Sequence, residues 1–490
     1  MLIGKELIAE KINRTIVVYS IVCLMYQILH VITPVRLFIV ENLSLFSPAL
    51  AVIGFSLAVA DVYASGLKYA VRGARWLYVF LAIALASSLF AYQYNLIGNI
   101  KNLIWNFVQI FVIATFAARI SEKERIQVFQ KLHLYASVLY VPVLLYTFYR
   151  FRTIGSHYWI AGIEQGWSGE RLYGIFVTPY DGTLVVAFLA LATLVRFVQC
   201  RSRIGKGILI FEEIICWIYI FLSGTRTIFA GLIAACAVIV CLFFRRRYLA
   251  GRHGMFVYIT AGAAVFLLCV PLMVGVGQGL KLGFVEASKM TSAQQKNAKE
   301  IRNLDIKLPD IKRLMGRLGS TDSSGRTWIW NSYFAVFFDK PSHLLTGISP
   351  KGYDVYIYEK YSNNRLVKSM KSRDPKAYKR KELIPPHNTY IYVLITTGIF
   401  GFSAMMLFLL RILADGGRII WTGYAKSQVL VPLLSVIMLL VMCLFETEVF
   451  LQVRVGALIF WIAVGYLSAY LSESGDGKGK KAIHDCSGQS

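Results

Sequence analysis

Long apolar runs alternate with short polar segments along most of this chain, and this pattern is typical of a membrane protein. A helix needs about 20 mostly apolar residues to cross the hydrocarbon core of a bilayer, and we predict about twelve such helices. The predicted spans are about Thr15–Ile32, Phe46–Tyr63, Trp76–Tyr92, Leu103–Ala118, Leu132–Tyr149, Leu172–Val195, Ile208–Leu222, Thr227–Phe244, Met255–Val276, Thr389–Leu410, Val429–Leu444 and Val455–Leu471. The expected fold class is therefore an all-α integral membrane protein.

One long polar segment interrupts these spans, between the ninth and the tenth. The chain is expected to comprise nine spans in residues 1–276, a large helical loop at 277–388, three spans in 389–471 and a tail at 472–490. Within the loop, residues 285–318 are expected to form one or two amphipathic helices broken near Pro309. Trp328–Phe338 is expected to form a further short helix.

Basic residues dominate the charge of the chain, whose formal net charge is +25. Such an excess is common in nucleic-acid-binding proteins, but no basic helix with base-reading residues stands apart from the spans. Much of the excess lies in short loops on one side of the predicted spans, as at Arg72, Arg119, Arg203 and Arg246. Lys and Arg are retained on the cytoplasmic side, so we expect a multi-pass protein of the cytoplasmic membrane with both termini in the cytoplasm.

The long loop then lies outside the cytoplasm, because loops of this length cross largely regardless of charge. We interpret its basic run, residues 365–381, as a solvated face in preference to a patch that binds anionic glycan or lipid phosphate. The eight cysteines fall in spans or in predicted cytoplasmic loops, so no disulfide framework is expected. No cleavable signal peptide is expected either, since the apolar run after Arg14 lacks a clear small-residue cleavage site.

Four side chains suited to chemistry fall on the outer side of this topology. Arg171 precedes the sixth span, Arg226 lies between the seventh and eighth, Arg326 is in the loop, and His387 precedes the tenth span. The arginine fork matches phosphate oxygens, and histidine is suited to take a proton from a hydroxyl near neutral pH. Taken singly, each has an ordinary explanation as a headgroup anchor, a structural hydrogen-bond donor or a loop histidine.

Candidate partners for these groups lie beside them. Glu446 and Glu448, in the short outer turn between the last two spans, are candidates for orienting His387 or an arginine, and Asn388 is a third. Pairing of either glutamate with Arg454 at the membrane edge is the alternative that we favour from the sequence alone.

Other acidic residues are expected to serve the fold. Asp181 is expected inside the sixth span, where an ionisable group is costly and needs a partner or a function. Glu212 and Glu213 are expected to reach water near the cytoplasmic end of the seventh span. No metal site is expected, because no Asp-x-Asp motif lies on the outer face.

Four short motifs occur in the order that is found in a known family. They are Arg171–Gly174, Leu222–Thr227, Ser324–Trp330 with the Asp339-Lys340-Pro341 and Gly347-Ile348-Ser349-Pro350 that follow it, and Pro386–Tyr390 with Thr397–Gly401. Together they resemble the O-antigen ligase and polymerase superfamily over about residues 165–410. The chain departs from the family at Thr178-Pro179-Tyr180, where many members have Asn-Pro-Asn, and at Ser349, where a second glycine is missing.

The resemblance implies a glycosyltransferase of the helical, GT-C-like type that inverts configuration without a metal or other cofactor. Its donor would be undecaprenyl-diphosphate-linked glycan and its acceptor a glycan or a lipid-linked glycan. Membrane lipids and other polysaccharide-assembly proteins are further expected partners, and nucleic acid is not. His387 would act as general base, and Arg226, Arg326 and Arg171 would stabilise the departing diphosphate.

Three functions remain open at this point. A polymerase joins lipid-linked repeat units, whereas a ligase moves finished glycan to lipid A core or another acceptor, and the motifs are common to both. We favour the polymerase because it needs no specialised acceptor. A transporter or flippase for the same lipid-linked sugar is the alternative of another class, although many carriers are built from repeated halves and no internal repeat relates the two halves of this chain.

Overall fold

The computed structural model describes residues 2–153, 157–168, 171–249, 326–422 and 427–475, together with residues 260, 275–277, 279, 280 and 283. The helices of these ranges are α1 (Leu2–His30), α2 (Thr33–Asn42), α3 (Phe46–Ser65), α4 (Ala74–Phe90), α5 (Tyr92–Val108), α6 (Glu122–Thr153), α7 (Pro179–Gln199), α8 (Arg203–Ser223), α9 (Arg226–Leu249), α10 (Thr327–Phe337), α11 (Pro341–Thr346), α12 (Tyr353–Lys360), α13 (Arg365–Arg373), α14 (Pro375–Lys379), α15 (Thr389–Thr422), α16 (Ser427–Met442) and α17 (Val455–Gly475). The strands are β1 (His157–Ile160), β2 (Ile163–Ser168) and β3 (Arg171–Gly174).

The protein is a mostly helical, multi-pass membrane protein. Within the described ranges, eight helices are long and apolar enough to cross a membrane, and α4 and α16 are shorter apolar helices. The eight are α1, α3, α5 with the turns that continue it to Arg119, α6, α7, α9, α15 and α17. The total of twelve spans stays a prediction, because the ninth predicted span falls almost wholly outside the described residues, as do residues 285–318 and the tail from 476.

The antiparallel sheet β1–β2–β3 was not expected from the sequence. The sixth span was expected to begin at Leu172, but Leu172 lies in β3 and α7 begins only at Pro179. After β3 the chain turns at Ile175 and then pairs with the segment between α1 and α2, where Phe176 forms a bridge with Ile32 and Val177 N–H donates to the Val31 carbonyl at 2.9 Å. Hydropathy alone does not distinguish a buried extended segment from the start of a buried helix, which is why the prediction was wrong here.

Asp181 lies inside the candidate span Pro179–Gln199, as expected, and stands in the first turn of its helix, α7. Thr178 Oγ1 accepts the Asp181 N–H at 3.0 Å and donates to the Asp181 carboxylate at 2.7 Å. A carboxylate in the first turn is also favoured by the helix dipole. The cap fixes the start of α7, which lies next to the candidate site.

The loop segment that follows Arg326 docks onto α15 through two glycines. Gly347 and Gly398 both have positive φ, of 74° and 67°. A Cβ at Gly347 would collide with the backbone of Thr396, and one at Gly398 with the carbonyl of Leu345. Because only glycine permits this approach, α11 ends directly against a break in α15. The loop is thereby held against the helix that begins beside His387.

Two further elements of the loop compare directly with the sequence analysis. The short helix predicted at Trp328–Phe338 is confirmed as α10. The basic run forms α13 and α14, and α13 buries Leu366, Val367 and Met370 while Arg365 and Lys368 are exposed.

Glu212 does not reach water, contrary to expectation. It is buried where α8 packs against α6 and α7. Its carboxylate accepts a hydrogen bond from Ser137 Oγ at 2.7 Å and lies 3.6 Å from His133 Nε2. Glu213 accepts from Trp217 Nε1 at 2.8 Å. A buried carboxylate needs such polar partners, and the hydropathy pattern does not reveal them.

Candidate active site

His387 is the residue around which the site is built, and its backbone adopts an unusual conformation. Its φ is +49°, in the left-handed region that non-glycine residues rarely occupy. The next residue, Asn388, caps α15, since its Oδ1 accepts the Ile391 N–H at 3.0 Å. Its Nδ2 donates to the Leu444 carbonyl at 2.9 Å. Asn388 therefore orients the backbone that carries the imidazole.

The turn after α16 is hydrogen-bonded to this segment through Thr389. The Thr389 N–H donates to the Cys443 carbonyl at 2.8 Å. The Thr389 hydroxyl donates to the Glu446 carbonyl at 2.8 Å and accepts from the Glu448 N–H at 3.0 Å. Residues 387–389 and 443–448 thus form one rigid unit at one end of the bundle.

Glu446 bridges the two predicted functional groups. One carboxylate oxygen lies 3.0 Å from His387 Nδ1, and the other accepts from the Arg326 guanidinium at 3.2 Å. The His387 side chain remains 34% exposed and that of Glu446 18% exposed. When Nδ1–H donates to Glu446, the lone pair of the imidazole lies on Nε2, because the hydrogen bond at one ring nitrogen sets the role of the other. Nε2 is then the nitrogen that can act as a base.

Helix α10 brings Arg326 to this carboxylate. Trp330 Nε1 donates to the Pro386 carbonyl at 2.7 Å, and the Tyr333 hydroxyl donates to the Ile384 carbonyl at 2.7 Å. These bonds clamp the chain just before His387 against one face of α10. Arg326, the residue before the helix, is thereby held over the same turn.

Glu448 plays a different part from Glu446. It is fully buried, accepts the Gly456 N–H at 3.2 Å and lies 3.6 Å from the Arg454 guanidinium. Burial raises the pKa of Glu448 to about 8. The pairing with Arg454 that the sequence analysis favoured for either glutamate is therefore right for Glu448 and wrong for Glu446.

The start of α7 adds a residue that sequence reasoning passed over. The Tyr180 hydroxyl is buried and finds no hydrogen-bond partner among the described residues. The carboxylates of Glu446 and Glu448 are near enough to this hydroxyl to oppose its ionisation. Tyr180 stands where many family members have an asparagine, and this departure was the only sequence signal for it.

Arg226 lies at the same end of the bundle as His387. Helix α8 ends at Ser223 and is capped by Gly224 in the left-handed conformation, and Arg226 opens α9 with an exposed side chain. Gly231, one turn and a half further along α9, packs against Met438 and Met442 at the end of α16. A cation at a helix N-terminus opposes the helix dipole, so this position costs stability and adds to the local positive potential.

Arg171 is exposed on β3, where it pairs with Ser168 of β2. Within the described ranges it makes no hydrogen bond or ion pair with His387, Glu446 or Arg326. Direct contacts thus join His387, Glu446 and Arg326, while Arg171 stays apart. The same ranges contain no group of three or more His, Cys, Asp or Glu side chains that could hold a metal ion.

Comparison with known proteins adds one finding. No curated protein matches the chain. Residues 214–406, which include Arg226, Arg326 and His387 but not Glu446, match the family model described as O-antigen ligase. Residues 214–406 therefore form an O-antigen ligase family domain within a multi-pass membrane protein. This family is associated with polysaccharide assembly of the O-antigen ligase or polymerase type.

Proposed function

We propose that this protein is a glycosyltransferase that polymerises the repeat units of a cell-surface polysaccharide. Its donor is glycan linked to undecaprenyl diphosphate, and it works at the outer face of the cytoplasmic membrane with both termini in the cytoplasm. The observation that carries the proposal is the carboxylate of Glu446, which holds His387 on one oxygen and Arg326 on the other. A base and a phosphate-binding cation are thereby held at one partly exposed point.

The proposed reaction is a direct displacement at the anomeric carbon. His387 Nε2 takes the proton of an acceptor hydroxyl while the hydroxyl oxygen forms a bond to that carbon. The bond from the carbon to the diphosphate breaks, and lipid diphosphate leaves with the electron pair. Attack from the opposite face inverts the configuration, and the imidazolium afterwards returns its proton to water. Glu446 stabilises the imidazolium, as the carboxylate of a hydrolase triad does.

We assign to the arginines the stabilisation of the departing diphosphate. Charge develops on the diphosphate as the bond breaks, and fixed cations aimed at that charge lower the barrier. Arg326 is held beside His387, and a guanidinium has five N–H donors with which to contact phosphate as well as Glu446. Arg226 is placed at the same end of the bundle, and Arg171 is a third, more distant cation for the lipid-linked substrate.

The ligase is the second candidate, because the matching family is described as O-antigen ligase. Purified protein in lipid nanodiscs, supplied with a lipid-linked repeat unit, separates the functions by product. A polymerase yields a ladder of longer lipid-linked chains without any other acceptor. A ligase yields product only when lipid A core or another acceptor is added. In sealed vesicles, movement of unchanged donor without any new glycosidic bond would refute both and identify a transporter.

The histidine variants provide the matched control. His157 on β1 also contacts a glutamate, Glu164, at 2.9 Å, and it is exposed. His387→Ala is expected to form product at least about a hundredfold more slowly, whereas His157→Ala is expected to keep the unmodified rate.

A further inference from the structure

A cavity of about 450 Å³ lies between α10 and α13, on the far side of α10 from His387. Trp328, Asn331 and Ala335 line it from one face of α10, and Asn364 and Arg365 line it from the start of α13. The spacing of the first three places them on one helical stripe. Trp330 and Tyr333, which hold the chain before His387, lie on another face of the same helix.

The cavity is distinguished by two guanidinium groups on one indole. Arg365 lies over the ring of Trp328 at 5.1 Å, and Arg373 lies over the same ring at 5.9 Å. A cation–π contact holds a guanidinium in place without cancelling its charge. Within the part of the chain that the structure describes, no carboxylate forms an ion pair with either arginine.

The other end of the basic run is built differently. Arg380 pairs with Glu382 at 2.8 Å, and Lys381 pairs with Glu359 at 2.8 Å. The positive charge of the run is thus neutralised at its end and left in place at the cavity. From the sequence, we interpreted the whole run as a solvated face. That interpretation does not explain why only one end of the run is paired with carboxylates.

The cavity also adjoins the candidate active site. Its wall begins at Thr327, the residue after Arg326, whose guanidinium contacts Glu446. A helix with its side chains is about 10–12 Å across, so the two sites are separated by about one helix width. A chain of a few sugars can reach from one to the other.

We propose that this cavity is a subsite for an anionic sugar residue of the glycan that reacts at His387. The proposal rests on the proposed function and extends it by naming the class of sugar. Arg365 and Arg373 would bind the carboxylate or phosphate of the sugar, since the guanidinium fork matches both. Asn331, which is exposed and makes no hydrogen bond with any described residue, would bind neighbouring hydroxyls.

The position of α13 favours a glycan over a lipid headgroup. Among the described elements, α13 packs mainly on α10 and α14, whereas α10 itself packs on the membrane helix α15. The two arginines are therefore one layer further from the membrane helices than the residues that surround His387. A headgroup phosphate stays at the bilayer surface, but a glycan extends away from it.

Binding of a hexamer of galacturonic acid to the full-length protein in nanodiscs of uncharged lipid tests the proposal. We expect binding that weakens as salt rises, because exposed charges are screened within about 8 Å at physiological ionic strength. Loss of charge-assisted contacts in Arg365→Gln/Arg373→Gln is expected to weaken binding by about tenfold or more. Asn331→Asp, which places a negative charge in the cavity and leaves both arginines intact, is expected to weaken binding as well.

Arg380→Gln/Lys381→Gln removes the same charge from the neutralised end of the run and is expected to bind the hexamer like the unmodified protein. Equal weakening in the two double variants, or equal binding of the carboxyl-reduced neutral hexamer, would overturn the proposal. Hexamer binding that persists in nanodiscs of anionic lipid and still depends on Arg365 and Arg373 supports a glycan site. Competition by anionic lipid that disappears in the double variant would assign the site to headgroups instead.

The proposed subsite and the proposed reaction can be refuted independently of each other. His387→Ala is expected to bind the acidic hexamer normally while product formation slows at least about a hundredfold. If the protein transfers no sugar but still binds the hexamer through Arg365 and Arg373, the proposed function is wrong and the anion site stands. If it transfers sugar and the double variant binds the hexamer normally, only the subsite is wrong.

Discussion

Glutamine in place of Glu446 keeps the size of the side chain and removes its charge. The carboxylate serves two donors with its two oxygens, His387 Nδ1 at 3.0 Å and the Arg326 guanidinium at 3.2 Å. An amide has one acceptor oxygen and two N–H donors. Either His387 or Arg326 must therefore lose its partner and face a donor, and the imidazolium that forms during transfer loses its counter-charge.

The size of the effect follows from the exposure of the pair. Two unit charges about 4 Å apart are worth about 4 kcal/mol near a protein surface. Water screens part of this, because the His387 side chain is 34% exposed. Charge-assisted hydrogen bonds contribute about 1.5–3 kcal/mol, which corresponds to a fall in kcat of roughly ten- to one hundred and fifty-fold.

The assay is the initial rate of glycosidic bond formation by purified protein in nanodiscs with saturating lipid-linked donor. Glu164→Gln is the matched control, since Glu164 contacts His157 at 2.9 Å in a histidine–glutamate pair outside the site. We expect Glu446→Gln to lose rate within the stated range and Glu164→Gln to keep it. A Glu446→Gln protein as fast as the unmodified one would refute the role given to this carboxylate.

Three further predictions concern the surroundings of the site. Burial raises the pKa of Glu448 from 4.5 to about 8. Between these pH values the folded state holds a proton that the unfolded state has lost, so the stability of the fold falls as pH rises through that window. The melting temperature of Glu448→Gln should show less of this decline, whereas that of Glu359→Gln should follow the unmodified protein. Gly398→Ala combines a φ of +67° with a backbone collision, whereas Gly66→Ala has a φ of +60° but its Cβ meets open space. In denaturant unfolding, backbone strain should destabilise both variants by about 1–3 kcal/mol. The collision should make the loss larger for Gly398→Ala than for Gly66→Ala. Arg226→Lys keeps the charge but loses two-point phosphate contact, so donor turnover should fall while the melting temperature stays unchanged; an unaltered rate would remove Arg226 from the site.

Local patterns predicted much of the fold. The break between the loop and the tenth span was expected before Thr389, and α15 begins at that residue because Asn388 caps it. The short helix at Trp328–Phe338 was also found, since its aromatic residues recur with helical spacing. Both features depend on neighbours within one or two turns, and such neighbours are visible in the sequence.

Features that depend on distant partners were not predictable in the same way. Leu172 begins an apolar run, and only the pairing of β3 with β2 and of residue 177 with residue 31 makes that run extended. Glu212 and Glu213 are adjacent charges near the predicted end of the seventh span, from which either side chain could reach water. The burial of Glu212 depends on a distant partner, Ser137 on another helix.

The candidate site shows the same division. Charge placement and the motif resemblance singled out Arg326 and His387, and both lie at one point. Their common partner Glu446 is 120 positions from Arg326 and 59 from His387 along the chain. Glu446 and Glu448 stand two residues apart in the same turn, so no local pattern could tell which faces the histidine and which faces Arg454. The backbone bonds of Thr389 decide it.

The central claim is that His387 is the base in sugar transfer, and single-turnover kinetics test it most directly. Donor-loaded protein is mixed with acceptor, and bond formation and retained donor are measured in the same sample for the unmodified protein, His387→Ala and His157→Ala. We predict that His387→Ala holds its donor but forms product at least about a hundredfold more slowly, the usual contribution of a general base, while His157→Ala is unaffected. Product formation by His387→Ala at the unmodified rate would contradict it.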